Sequence, residues 1–91
     1  MLRVRMRVPA DTLKEKRTVV KSVVARVRNR FNAAAAEVDD LDSPGYATIG
    51  VTCVSNDAAH ADSMLQSIAR FIETERLDVE VLTVETETLR A

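Results

Sequence analysis

Residues 2–8 read LRVRMRV, and this stretch decides the fold. Leu2, Val4, Met6 and Val8 alternate with Arg3, Arg5 and Arg7, the period of two in which successive side chains of a strand point to opposite faces. One face is therefore expected to be buried. The other carries a row of three cations, spaced about 6.8 Å apart by the strand rise. Pro9 ends the strand, because it has no amide to give to a ladder.

Beyond it the period changes. Leu13, Val20, Val24, Val27 and Phe31 recur at helical spacings. They predict a helix of about 19 residues with one buried stripe, opened by Asp11 or Thr12 and stopped at Asn32. Residues 33–40, AAAAEVDD, have weak preferences and are assigned to a strand because the chain must turn back. Four alanines fit either face, so the register of that strand stays open. Asp40–Gly45 (DLDSPG) reads as a turn, and Tyr46–Val54 (YATIGVTCV) returns to period two, with Ile49, Val51 and Cys53 on one side and Thr48, Gly50 and Thr52 on the other.

Ser55, Asn56 and Asp57 are helix-opening residues. The stripe Ala61, Met64, Leu65, Ile68, Phe71 and Ile72 predicts a second helix ending near Glu75. Val79–Val84 is a last, β-branched strand, followed by acidic residues expected to fray. The order β-α-β-β-α-β, with right-handed crossovers, places both helices on one face of a four-stranded antiparallel sheet. This is an α+β, ferredoxin-like domain, expected to span residues 1–91.

Composition bounds the rest. With 46% hydrophobic and 30% charged residues the chain is of globular type. Cys53 is the only cysteine, so neither an internal disulfide nor a cysteine-based zinc site can form, and a reducing compartment is expected. The first residues alternate where a signal peptide would be continuously apolar, and no apolar run approaches the ~18 residues of a membrane span. A cytoplasmic protein without membrane attachment is expected. The net charge of −1 conceals an asymmetry: residues 1–36 hold ten Lys/Arg against two acids, net +8, and residues 37–91 hold three against twelve, net −9.

Three features could carry chemistry. The arginine row would suit phosphates, giving salt-dependent affinity indifferent to sequence. Pairing with Glu85 or Glu87 of the last strand, or burial in a homodimer, would explain it equally. On the first helix, Lys14, Arg17, Lys21 and Arg28 fall within about 60° of one another, a basic side that is either solvated or a nucleic-acid or protein contact. Lys16 lies nearer the apolar stripe and must snorkel or find a partner at the sheet edge. The third feature is Ser55, Asn56, Asp57 and His60, where a helix start could hold an anion, although capping alone accounts for the polar residues. The single histidine lacks companions at metal-ligand spacing, and two glycines are too few for a dinucleotide or Walker loop. Neither metal, cofactor nor catalytic constellation is expected. An RNA-recognition motif is excluded too, since its stacking aromatics are here arginines, threonines and glycine.

The segments LKEKR (Leu13–Arg17), VVKSVVARVRNRFN (Val19–Asn32), AEV (Ala36–Val38) and VSNDAAH (Val54–His60) resemble the YlxP-like family of small bacterial proteins of unknown function, over roughly Val4 to Glu87. The resemblance implies the ferredoxin-like fold and a bacterial cytosolic protein. It also implies a gene commonly near those for ribosome-binding factor A and a translation initiation factor, and hence a role linked to RNA or the ribosome. The chain departs from that family in having fewer residues before the first strand. It also has DLDSPGY (Asp40–Tyr46) where the family often carries a tryptophan-containing hairpin, so that Tyr46 alone remains there. The expectation is a non-catalytic module engaging structured RNA or a ribosomal surface through Arg3, Arg5, Arg7, Lys14, Lys16, Arg17, Lys21 and Arg28. A homodimeric interaction domain, and an anion or small-molecule binding domain using Ser55, Asn56, Asp57 and His60, are the alternatives.

Overall fold

The alternation at the N-terminus becomes a central strand, β1 (Leu2–Arg7), in the computed structural model, which describes residues 1–87. It is followed by α1 (Leu13–Arg30), β2 (Ala34–Asp39), β3 (Tyr46–Thr52), α2 (Ala58–Glu75) and β4 (Glu80–Thr86). The sheet is antiparallel in the order β2-β3-β1-β4. The βαββαβ order with two helices and this sheet is the expected ferredoxin-like arrangement.

Local chemistry sets the boundaries. Thr12 caps α1, its hydroxyl accepting the Glu15 amide at 3.2 Å, and the Phe31 amide closes the other end on the Val27 carbonyl at 2.9 Å. Asp57 caps α2, accepting the amides of Ala59 at 3.0 Å and His60 at 3.4 Å. The core lies between the helices and the inner sheet face, with Leu2, Val4, Met6, Val27, Ile49, Val51 and Ile68 fully buried. On α1 the buried set is Val19, Val20, Val23 and Val27, while Leu13, Val24 and Phe31 are only half-buried. The helix presses its valine ridge on the sheet, a wider contact than the single stripe expected from spacing.

Two strands depart from regular pairing. In β2, Ala35 faces inward opposite Val51, and a bulge between Glu37 and Asp39 inserts Val38. The bulge lets Val38 and Asp39 both stand on the outer face, Val38 lying over Gly50. In β4 the register shifts where Leu82 is inserted opposite Arg5 and Met6. The third strand ends at Thr52, earlier than expected, so Cys53 leaves the sheet half-buried, with Sγ 3.8 Å from the Ala61 carbonyl. The expected fraying of the acidic end falls partly on residues 88–91, outside the described residues; β4 itself continues to Thr86.

Candidate nucleic-acid interface

Among the described residues two groups of cations stand apart, separated by the sheet. On the outer face, Arg3, Arg5 and Arg7 project in a row from β1 and each meets an acid. Arg3 lies 3.8 Å from Asp39, the Arg5 Nε 3.1 Å from Asp40 Oδ2, and Arg7 3.8 Å from Glu80. Glu85 stands opposite Arg3 in the ladder, as expected, but these ion-pair acids come from the end of β2, the following turn and the start of β4. The Arg5 guanidinium also lies 4.7 Å and that of Arg7 5.8 Å from the centre of the Tyr46 ring. A shallow cavity of about 230 Å³ is lined by Arg3, Arg5, Asp39, Thr48, Thr83 and Glu85. The row is thus flanked by carboxylates along both sides.

Asp40, expected in a turn, organises one end of this face. Its backbone is left-handed, with φ of 61°, a conformation Asp tolerates better than most residues. Its Oδ2 accepts from the Thr48 hydroxyl at 2.6 Å and from Arg5. Those two hydrogen bonds, the threonine's first, hold the carboxyl below the usual carboxylate range, and the same pairing raises Arg5.

Lys16 belongs to neither basic surface. Grouped with the nucleic-acid candidates, it is instead 1% exposed, on the inner side of the sheet. The partner expected near the sheet edge is there: Nζ lies 2.8 Å from Glu37 Oε2, an ion pair whose angle falls outside hydrogen-bond geometry. The ammonium donates to the carbonyls of Asp40 at 2.7 Å and Tyr46 at 3.1 Å. Its helical position, facing the sheet edge, forbids it the surface.

The second basic surface is the outer flank of α1. Lys14, Arg17, Lys21 and Arg28 are all exposed, and among the described residues none has an acidic partner. They run about 21 Å along the helix. The other cations of α1 are engaged: Arg26 pairs with Glu75 of α2, and Arg30 lies 5.8 Å from the Phe71 ring centre. Because α1 packs over β2 and β3 and Arg26 reaches α2 from the opposite side, the free flank overlooks the open edge of β2.

At the start of α2, Asp57 is occupied as a cap and its own amide donates to the Ser55 hydroxyl at 3.1 Å; Asn56 and His60 are exposed. Among the described residues no three His, Cys, Asp or Glu side chains gather as metal ligands, and no helix is long and apolar enough to cross a membrane.

A family model described as "Protein of unknown function (DUF503)" matches residues 1–86. The chain is also similar to the "Uncharacterized protein YlxP" of Bacillus subtilis (strain 168), with 34% identity over 65 residues, 71% of each chain.

Proposed function

Since the chain belongs to the DUF503 family, for which no activity is described, we propose from its geometry that it is a non-catalytic, cytoplasmic module that binds structured RNA, as on a ribosomal surface, through the outer flank of α1. The observation that carries this reading is the contrast between the two basic surfaces. Arg3, Arg5 and Arg7 already have carboxylates beside them, whereas Lys14, Arg17, Lys21 and Arg28 have none among the described residues. Cations left unpaired on a rigid helix are positioned for phosphates and gain the release of counterions on binding.

The test is retention of structured RNA by the purified protein at several salt concentrations. A variant with Arg17, Lys21 and Arg28 changed to Glu should lose retention, and one with Arg3, Arg5 and Arg7 changed to Gln should stay within about two-fold of the parent. Retention unchanged in the α1 variant at low salt overturns the reading. The outer sheet face supports a second, separate role as a homodimer interface. Its columns of charge run acid, base, acid from β2 to β4, a pattern that complements itself when one copy is turned over and offset on another. Sedimentation equilibrium of the two variants distinguishes the roles, since only the Gln variant should lose a dimer formed this way.

A further inference from the structure

We infer that the nucleic acid held by the α1 flank is a double helix, gripped by its phosphates and not read by its bases. This rests on the RNA-binding reading above and narrows its ligand.

Proteins that hold single strands add base stacking to backbone charge, at about 1–3 kcal/mol per base, and need free aromatic rings to do it. The single imidazole, His60, stands on α2 and not on α1, and the chain has three benzene-type rings, one Tyr and two Phe, with no Trp. Each of those three is already engaged away from the flank. Tyr46 lies beneath Arg5 and Arg7 on the far side of the sheet. Phe31 and Phe71 meet edge to face with centres 5.4 Å apart, half-buried between the helices, and Arg30 covers Phe71. A single strand laid on α1 would therefore be ordered at an entropic cost that no aromatic stacking offsets.

What the flank does offer is charge at fixed positions. Lys14, Lys21 and Arg28 follow one another at steps of about 10.5 Å, with Arg17 between the first two. A rigid duplex presents about twelve phosphates over the same ~21 Å of its axis and need not be reshaped to meet them. Thr18, beside the stripe, spends its one hydroxyl proton on the Lys14 carbonyl at 3.3 Å and keeps only its lone pairs toward a ligand. The acidic second half of the chain, net −9, repels nucleic acid elsewhere and so orients the duplex onto α1.

The experiment is fluorescence anisotropy with one mixed-sequence duplex of about 20 base pairs, its two separated strands, and a second duplex of unrelated sequence, each as RNA and as DNA, across a range of salt; the size spans the flank with room on both sides. The expected result is at least about ten-fold tighter binding of duplex than of either strand, agreement between the two sequences within about two-fold, and a slope of log K against log salt near −3.6 for four neutralised phosphates. Equal binding of RNA and DNA duplexes, or a preference for RNA, fits both readings, whereas a preference for the DNA duplex would keep the double-helix inference and overturn the RNA reading it rests on. Strands bound as tightly as duplexes, with loss in the Arg17, Lys21, Arg28→Glu variant, would overturn the double-helix inference and leave the α1 surface standing. No binding of any probe at low salt would overturn both.

Discussion

Lys16 and Asp40 act on the same turn from opposite sides of the sheet. The lysine holds the Asp40 carbonyl from the helix side, and the Asp40 carboxylate holds Arg5 and Thr48 on the outer face. Lys16→Met removes the cation but leaves the Glu37 carboxylate, whose side chain is only 14% exposed, without its partner. Such a change should cost about 3–5 kcal/mol, read as a lowered urea midpoint, and adding Glu37→Leu should recover part of the loss. For Asp40 the sign follows from its depressed pKa. The stability it contributes is complete above the unfolded carboxylate value of about 3.9 and is lost as pH falls through the lower folded value. Asp40→Asn, which tolerates the same left-handed backbone, should be less stable at neutral pH and lose less on acidification below that value, as followed by circular dichroism. At this scale the sequence was informative about Lys16, because its angle on the helix placed it off the solvent face. It was silent about Asp40, whose role depends on Thr48 and Arg5, residues that only the sheet brings near.

Among the elements, β1 and α2 were legible from pattern alone, since strict alternation and a clean helical stripe each admit one packing. The cap at Asp57 was one of three adjacent candidates, and only geometry chooses between neighbours that can all accept an amide. β2 was the least legible. Its alanines carry no facial preference, and a bulge is decided by the partner strand, here by Gly50, over which Val38 folds. A Cβ at Gly50 would stand 2.8 Å from Val38 Cγ1. Gly50→Val should therefore destabilise by about 1–3 kcal/mol through overpacking, measured by denaturant unfolding. Combining it with Val38→Ala should restore most of that loss. If the double variant is no more stable than Gly50→Val alone, the Val38 contact is not what requires glycine. The basic side of α1 was visible as an angle on a helical wheel, but its freedom from acidic partners was not, because Arg26 looks the same in sequence and is taken by Glu75.

For the molecule as a whole, the charge split at residue 36 was plain in the sequence, and its meaning changed on folding. The ten cations of the first part do not form one surface. Three stand on the outer sheet face beside acids, Lys16 is internal, Arg26 and Arg30 meet α2, and four remain on the flank of α1. The alternation in β1 put the arginine row on the sheet face away from the helices, but no linear pattern reported which cations would find acids, so the row and the helix flank read as one set of candidates.

That unpaired flank has a consequence at the bench. With a sequence pI of about 5.8, the protein would ordinarily be purified on an anion exchanger at neutral pH and is not expected to bind a cation exchanger. A resin, however, meets one side of a molecule at a time, and a sulfonate bead should retain the folded protein at pH 7 and low salt despite its net charge of −1. The chain also has one tyrosine and no tryptophan, so its own ultraviolet absorbance is weak. Any polynucleotide carried from the cell would dominate the spectrum near 260 nm, making the absorbance ratio of a fresh preparation a sensitive gauge of its cargo.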